Sequence, residues 1–130
     1  MADQSAGKKH QPRILVIDDD ATGVRLLTTL LGMEGFEAFQ PEDWQDPLQE
    51  VERHTPSLVI IDVHLRGRSG FDLLDQIRAH PNPDVARTPV LMTSAEDYRL
   101  QSKQGGANGF VAKPSDPQAL IDAITMCKGG

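Results

Sequence analysis

Two apolar runs of this chain end in acidic residues. The first run is followed by three consecutive aspartates, Asp18, Asp19 and Asp20, and the second ends in Asp62. Clustered carboxylates tend to raise each other's pKa values unless a cation lies among them. Oxygen ligands with little preformed cage suit a hard ion that keeps several waters, so the pattern favours Mg²⁺.

A hydroxyl group and an ammonium group follow two later apolar runs. Ser94 comes shortly after the run at 89–92, and Lys113 comes directly after the run at 109–112. If these two groups meet the carboxylates, they can neutralise the oxygens of a phosphoryl group. A carboxylate nucleophile beside a metal ion and such donors would form an aspartyl-phosphate site.

The segments that must position these groups alternate between strand and helix patterns. Continuous apolar runs of four or five residues predict strands, and apolar residues at helical spacing predict helices. Trp44, Leu48 and Val51 form an apolar stripe at helical spacing, so we expect Trp44 to pack as an anchor on a helix face. The strands are predicted at 13–17, 37–40, 58–61, 89–92 and 109–112, and the helices at 21–34, from 43 onward, from 71 to Pro81, at 96–104 and at 116–127.

Strict alternation of this kind is typical of an α/β fold with a parallel sheet covered on both faces. Right-handed crossovers then produce a doubly wound (βα)5 three-layer sandwich with a five-stranded parallel sheet. In such sheets ligands bind at the carboxyl ends of the strands, where the winding reverses. We therefore expect the carboxylates, the hydroxyl and the ammonium group to converge at one edge.

Length and composition restrict the class of protein further. The chain has 130 residues, a net charge of −6 and one cysteine, so we expect a single acidic domain without an intrachain disulfide. The acidic balance disfavours direct nucleic-acid binding, and the short apolar runs disfavour a membrane span or a secretory signal. We expect a cytoplasmic domain at 13–127, between a disordered polar tail at 1–12 and a C-terminal tail at 128–130. The four histidines show no metal-ligand spacing.

Four motifs, in this order, resemble the receiver domains of bacterial two-component response regulators. They are ILVIDDD, LVIIDVHLRGRSGFDLL, VLMTSAED and GANGFVAKPS. The resemblance covers nearly all of residues 13–127 and implies a flavodoxin-like sheet of order 2-1-3-4-5. It also implies a phosphorelay signalling domain that phosphorylates and slowly dephosphorylates itself, and not a turnover enzyme.

The resemblance assigns the acidic residues to particular roles. Asp62 matches the phosphoacceptor, which would take a phosphoryl group from a histidine kinase or a phosphotransfer protein. Asp19 matches the direct metal ligand, and Asp18 matches the second acidic position of the pocket. The backbone carbonyl of His64 would complete the site for Mg²⁺ or Mn²⁺.

The remaining motif residues match the response to phosphorylation. Ser94 and Lys113 would contact the phosphoryl oxygens, and Ser94 and Phe110 would form the switch. The side chains of His64 and Glu96 would flank the phosphoryl group and tune its hydrolysis. The switched surface, residues 96–127, would bind a downstream target protein.

Some residues depart from the family pattern. The loop after the phosphoacceptor, Arg66-Gly67-Arg68-Ser69-Gly70, lacks the proline and the acidic residue usual in the family and gains two arginines, which makes it electropositive. Ser115 replaces an aromatic residue, after a proline, Pro114, whose preceding peptide bond is cis in the family.

Two other functions remain open at this stage. Residues 18–22 also fit the DxDxT motif of haloacid-dehalogenase-like phosphatases, with Asp18 attacking and Asp20 as the acid or base. Alternatively, the domain could be a receiver fold that docks partners without taking phosphate. Local roles also compete, since Asp20 and Ser94 could simply cap the helices that follow them.

Overall fold

The computed structural model describes residues 12–113 and 116–129. The strands are β1 (Arg13–Ile17), β2 (Glu37–Phe39), β3 (Leu58–Asp62), β4 (His64–Leu65), β5 (Arg68–Ser69), β6 (Val90–Ser94) and β7 (Gly109–Ala112). The helices are α1 (Ala21–Met33), α2 (Pro47–His54), α3 (Gly70–Arg78), α4 (Pro83–Ala86), α5 (Arg99–Gln104) and α6 (Pro117–Gly129). The predicted alternation of strands and helices is confirmed.

Five strands form one parallel sheet in the order β2-β1-β3-β6-β7. This is the predicted order 2-1-3-4-5 of the main strands, because β4 and β5 pair only with each other in a separate antiparallel hairpin. Asp62 lies opposite Thr93, and Ser94 lies opposite Ala112. The carboxyl ends of β3, β6 and β7 are therefore level with one another.

Two apolar clusters, one on each face of the sheet, form the core. Leu15 and Ile17 of β1 belong to the cluster that contains residues of α2 and α3. Ile14 and Val16 belong to the other cluster, which contains residues of α1 and α6. Since successive side chains of a strand point to opposite faces, β1 supplies both clusters and must be covered on both sides. This is the predicted three-layer sandwich.

The second helix begins later than its apolar stripe predicts. Pro47 occupies the start of α2, and the side chain of Asp46 caps the helix by accepting a hydrogen bond from the Gln49 amide at 3.1 Å. Proline is tolerated in the first turn but would interrupt a helix that began at residue 43. Trp44 consequently precedes the helix and is 40% exposed, so the prediction that it anchors a helix face is wrong.

Other boundaries also differ from the sequence pattern. Helix α5 starts at Arg99 instead of 96, and the polar connection after α3 contains the single-turn helix α4. Arg78 at the end of α3 organises this region, since its guanidinium donates to the backbone carbonyls of Ala86, Thr88 and Gly106 at 2.7–2.9 Å. Burial lowers the pKa of Arg78.

The ends of the domain are described only in part. The backbone carbonyl of Pro12 accepts a hydrogen bond from the Glu37 amide at 2.8 Å, so Pro12 extends the pairing of β1 with β2. Residues 1–11 and 130 of the predicted tails lie outside the described residues, as do Pro114 and Ser115. None of the described helices is long and apolar enough to cross a membrane.

Candidate functional site

The predicted site residues meet at the carboxyl edge of the sheet. Asp18 directly follows β1, Asp62 ends β3, Ser94 ends β6 and Lys113 directly follows β7. Strands β1, β3 and β6 are buried almost throughout, whereas β7 is only partly buried. These side chains therefore converge at the edge of the sheet that the alternating pattern predicts.

Lys113 bridges two of the carboxylates. Its Nζ donates to Oδ2 of Asp18 at 2.5 Å and to Oδ2 of Asp62 at 3.0 Å. The other carboxylate oxygen of Asp62 accepts the backbone amide of His64 at 3.1 Å. One ammonium group thus offsets part of the repulsion between two acids that the fold brings together.

Burial and pairing shift the pKa values of this ion cluster. Burial raises the pKa of Asp62 above its usual value, although the hydrogen bonds from Lys113 and from the His64 amide oppose this rise. Burial by itself would lower the pKa of Lys113, but the bonds to Asp18 and Asp62 raise it overall. Lys113 is therefore held as a cation.

The other two aspartates of the acidic motif point in different directions. The Asp19 carboxylate accepts the backbone amide of Arg66, which ties β1 to the turn of the β4–β5 hairpin. Asp20 precedes α1 in the N-cap position, but its exposed side chain makes no capping hydrogen bond. Its backbone amide instead donates to Oδ1 of Asp18 at 3.0 Å. The capping role considered for the Asp20 side chain is not observed.

The backbone at the start of α3 lies very close to the backbone carbonyl group of Asp62. The amide of Gly70, the first residue of α3, donates to the carbonyl of Val63 at 2.7 Å. A Cβ atom at Gly70 would lie 2.1 Å from the backbone carbonyl oxygen of Asp62. Only glycine allows α3 to begin this close to the end of β3.

Ser94 lies buried at the end of β6. Its Oγ accepts the backbone amide of Glu96 at 3.2 Å, but the following helix begins at Arg99 with Tyr98 at its N-cap, so the alternative that Ser94 caps this helix is wrong. Its carbonyl accepts the amide of Lys113 at 2.8 Å, which joins the end of β6 directly to Lys113. Phe110 is partly buried in β7, and the guanidinium of Arg99 lies 5.8 Å from its ring centre.

His64 and Glu96 contact each other across the mouth of the site. His64 Nε2 lies 2.9 Å from Oε1 of Glu96, and both side chains are more than half exposed. The hydroxyl of Tyr98 lies 3.3 Å from His64 Nε2, and its ring packs edge-on against the imidazole. Sequence reasoning missed Tyr98, because nothing in its local pattern indicates a contact with a residue 34 positions away.

A cavity of about 330 Å³ opens beside Asp18 and Asp19. Its lining includes Trp44, Arg66 and Arg68, the last of which donates to the backbone carbonyl of Gln45 at 3.3 Å. The electropositive loop predicted from Arg66 and Arg68 is thus a hairpin beside the acidic residues. Trp44, predicted to pack on a helix, instead lines this cavity.

These features define a class of protein. The chain is a doubly wound α/β domain whose carboxylates and bridging lysine converge at the carboxyl edge of a 2-1-3-4-5 sheet. Comparison with known proteins agrees with this class. The family profile described as "Response regulator receiver domain" matches residues 14–125, and the chain belongs to that family. Its members are signalling modules and not turnover enzymes, so this finding replaces the phosphatase alternative.

Individual relatives are similar over most of this chain. The sensory transduction protein RegX3 of Mycolicibacterium smegmatis is 34% identical over 114 residues, which are 85% of this chain and 48% of that protein. An uncharacterized 76.5 kDa protein of Thiocystis violacea is 33% identical over 115 residues, which are 86% of this chain and 16% of that protein. The chain thus spans half or less of the length of these relatives.

A solved structure shares the fold closely. A putative response regulator from Chloroflexus aurantiacus superposes with a TM-score of 0.83 at 29% identity, covering 92% of this chain and 99% of that one. The chemotaxis protein CheY4 of Vibrio cholerae, at 23% identity and a TM-score of 0.78, shares the fold over 88% of this chain and 97% of its own.

Proposed function

We propose that this domain receives a phosphoryl group on Asp62 from the phosphohistidine of a histidine kinase or phosphotransfer protein. The observation that carries the proposal is the bridge from Lys113 to both Asp18 and Asp62 at the carboxyl edge of the sheet. A cation held between two acids is already in place to meet the charge of an incoming phosphoryl group. The cytoplasm, where ATP-dependent kinases form phosphohistidine, is the proposed location.

In the proposed reaction, a carboxylate oxygen of Asp62 attacks phosphorus in line with the bond to the donor imidazole. The new O–P bond forms as the N–P bond breaks, and the imidazole leaves with the electron pair and takes a proton from solvent. Lys113 exchanges one of its carboxylate contacts for a phosphoryl oxygen. Ser94 contacts another oxygen once its hydroxyl turns away from the Glu96 amide.

The donor set at the site fits Mg²⁺ or Mn²⁺. Carboxylate oxygens of Asp18, Asp19 and Asp62 lie at one edge, and hard divalent cations prefer oxygen ligands. We propose that these three side chains and the backbone carbonyl of His64 would hold the ion. When bound, it supplies charge neutralisation between carboxylate and phosphoryl oxygens.

The proposed output is a change at the surface formed by residues 96–127. Ser94 is buried and bonded to the turn that leads to α5, so pulling its hydroxyl towards a phosphoryl group would disturb that turn. Phe110, which is partly buried and lies on neighbouring β7, would fill the space released. A downstream target protein would bind the altered surface.

Intact-mass measurement after incubation with acetyl phosphate tests the phosphoacceptor. We expect a single phosphoryl adduct that requires Mg²⁺ and is absent from Asp62→Asn. Asp20→Asn serves as the matched control, since this exposed aspartate lies in the same acidic motif and should leave the adduct intact. An adduct that persists in Asp62→Asn would refute the assignment. A wild-type protein that never forms one would favour the docking module.

A further inference from the structure

A second group of ligand-type side chains lies on α2 and the loop before it, outside the acidic pocket. Glu42, Glu50 and His54 each offer one ligand atom, and the three atoms lie within 4.8 Å of one another. His54 Nε2 lies 3.5 Å from Oε1 of Glu50 and 4.0 Å from Oε1 of Glu42. Two ligands on one tetrahedral zinc ion are separated by roughly 3.3 Å, given bond lengths of about 2.0 Å. The spacing in this group is therefore close to that of a metal site.

Glu50 is the unusual member of the group. Its side chain is fully buried, although a carboxylate is expensive to bury without full pairing. Oε1 accepts the Glu42 amide at 3.0 Å, but Oε2 has no hydrogen-bond partner among residues 12–113 and 116–129. The Nε2 atom of His54 likewise lacks one within the same described residues. A buried carboxylate oxygen and an imidazole nitrogen of the same group are thus left without hydrogen-bond partners in the described residues.

Arg53 provides the present counter-charge. Its Nη1 donates to Oε1 of Glu42 at 3.2 Å and lies 3.6 Å from Oε2 of Glu50, too far for a good hydrogen bond. The Arg53 side chain is 48% exposed, so its guanidinium can withdraw into solvent. Two carboxylates carry the charge that one divalent cation neutralises completely.

The histidine ring is held in place by its surroundings. It packs edge-on against Phe39, with ring centres 5.0 Å apart. The carbonyl of His54 accepts a hydrogen bond from Arg13 Nη1 at 3.1 Å. Glu50 and His54 are four residues apart on α2, so one helix face presents both ligands. Sequence spacing did not indicate a metal site at any of the four histidines, whereas the structure groups His54 with Glu50 and Glu42.

We propose that Glu42, Glu50 and His54 form a binding site for a divalent transition-metal ion of the Zn²⁺ class. One imidazole and two carboxylates suit such an ion, because the nitrogen ligand favours it over Mg²⁺. Three protein ligands leave a fourth position for water. The ion would fasten the loop at Glu42 to α2, independently of phosphoryl chemistry at Asp62.

A cobalt titration of the full chain tests this site. Co²⁺ replaces Zn²⁺ as a visible probe, and excess Mg²⁺ is present throughout to occupy the oxygen-only pocket. We expect saturable binding of one ion with the intense visible bands of four-coordinate Co²⁺. His54→Gln should lose these bands and bind Co²⁺ at least about tenfold more weakly, since losing even an outer-shell partner of a metal ligand costs about 10–100-fold in affinity.

Two further variants keep the test decisive. His80→Gln is the matched control, because His80 also pairs with one glutamate, Glu52, at 2.6 Å, and it should leave binding unchanged. Glu42→Gln alters a side chain that is 72% exposed, so it should fold normally and yet weaken binding. Unchanged Co²⁺ spectra in both His54→Gln and Glu42→Gln, or no saturable binding by the wild type, would overturn the proposal.

Discussion

At the scale of single residues, the site is an arrangement of opposing charges around one lysine. Lys113 Nζ holds Asp18 and Asp62 together, and each acid is only partly exposed. In the proposed reaction, attack by Asp62 needs its own carboxylate, whereas Lys113 and Ser94 would contact the phosphoryl oxygens. Accepting the phosphoryl group and responding to it should therefore be separable by mutation.

Lys113→Ala and Ser94→Ala should let Asp62 be modified but reduce the structural response. NMR spectra recorded with a beryllium fluoride mimic should show shifts across residues 96–111 in the wild type and smaller shifts in both variants. Ser102→Ala is the control, since Ser102 is a second buried serine whose hydroxyl has no partner in the described part of the chain. Equal shifts in all four proteins would show that the switch bypasses Lys113 and Ser94.

The lifetime of the phosphoryl group should depend on His64. Its imidazole contacts Glu96 and Tyr98, and we propose that these side chains cover the line along which hydrolytic water would approach a phosphoryl group on Asp62. His64→Asn should accelerate dephosphorylation several-fold, because one well-placed water is worth about 1–2 kcal/mol and about 1.4 kcal/mol is tenfold in rate. Decay of the phosphorylated proteins at equal pH measures this, with His80→Asn as control. A slower or unchanged His64→Asn would contradict shielding by the ring.

At the scale of elements, the start of α3 sets the position of Asp62. Helix α3 begins at Gly70, directly after the hairpin, and its first turn lies against the last residue of β3. The hairpin itself is tied to β1 by the amide of Arg66 on Asp19. Small changes in how α3 meets β3 should thus displace Asp62, the proposed phosphoacceptor.

Gly70→Ala should destabilise the fold and displace Asp62. The added methyl would lie 2.1 Å from the Asp62 carbonyl and 2.9 Å from Ile61, and overpacking of this kind costs about 1–3 kcal/mol. Gly32→Ala is the matched control, because a Cβ at Gly32 in α1 meets nothing within 4 Å and should stabilise by about 0.5–1 kcal/mol. Urea unfolding and the yield of Asp62 adduct measure both effects. A Gly70→Ala protein as stable as the wild type would contradict the close approach.

At the scale of the whole molecule, the sheet joins segments that are far apart in the chain. The bond between Lys113 and Asp18 spans 95 positions, and α6 packs back against β7 through Cys127. The sulfur of Cys127 lies 3.0 Å from the position that a Cβ at Gly109 would take. Cys127 is therefore a native probe of whether the last helix remains on the sheet.

Cys127 should react with a disulfide reagent only when the domain unfolds. The residue is 3% exposed, and burial raises the pKa of its thiol above the ordinary value of 9.0. The labelling rate should rise with urea along the unfolding curve, whereas acrylamide should quench the partly exposed Trp44 in the native state. Rapid labelling of the native protein would contradict this packing.

The same thiol should make the free energy of unfolding depend on pH. Above pH 9 the Cys127 thiol of the unfolded chain loses its proton before that of the folded chain, so the free energy of unfolding should fall as pH rises.

The sequence alone determined the alternation of elements and the edge of the sheet at which the candidate site residues converge. Apolar runs such as 58–61 predict strands buried on both faces, and the residue that follows each run must then lie at the carboxyl edge. Asp62 and Lys113 were predicted in this way, and the structure brings them together. Local patterns are enough to predict these positions, because a strand buried on both faces fits few structural environments.

Only the tertiary structure decided which side chains touch across elements. Local sequence patterns did not predict three of these arrangements. They are the contact of His64 with Tyr98, the position of Trp44 beside the acidic pocket, and the grouping of Glu42 with His54. Each depends on where a loop or hairpin is positioned by the packing of neighbouring elements. Periodicity describes one element at a time, whereas these contacts arise from the relative placement of two, which only the folded chain specifies.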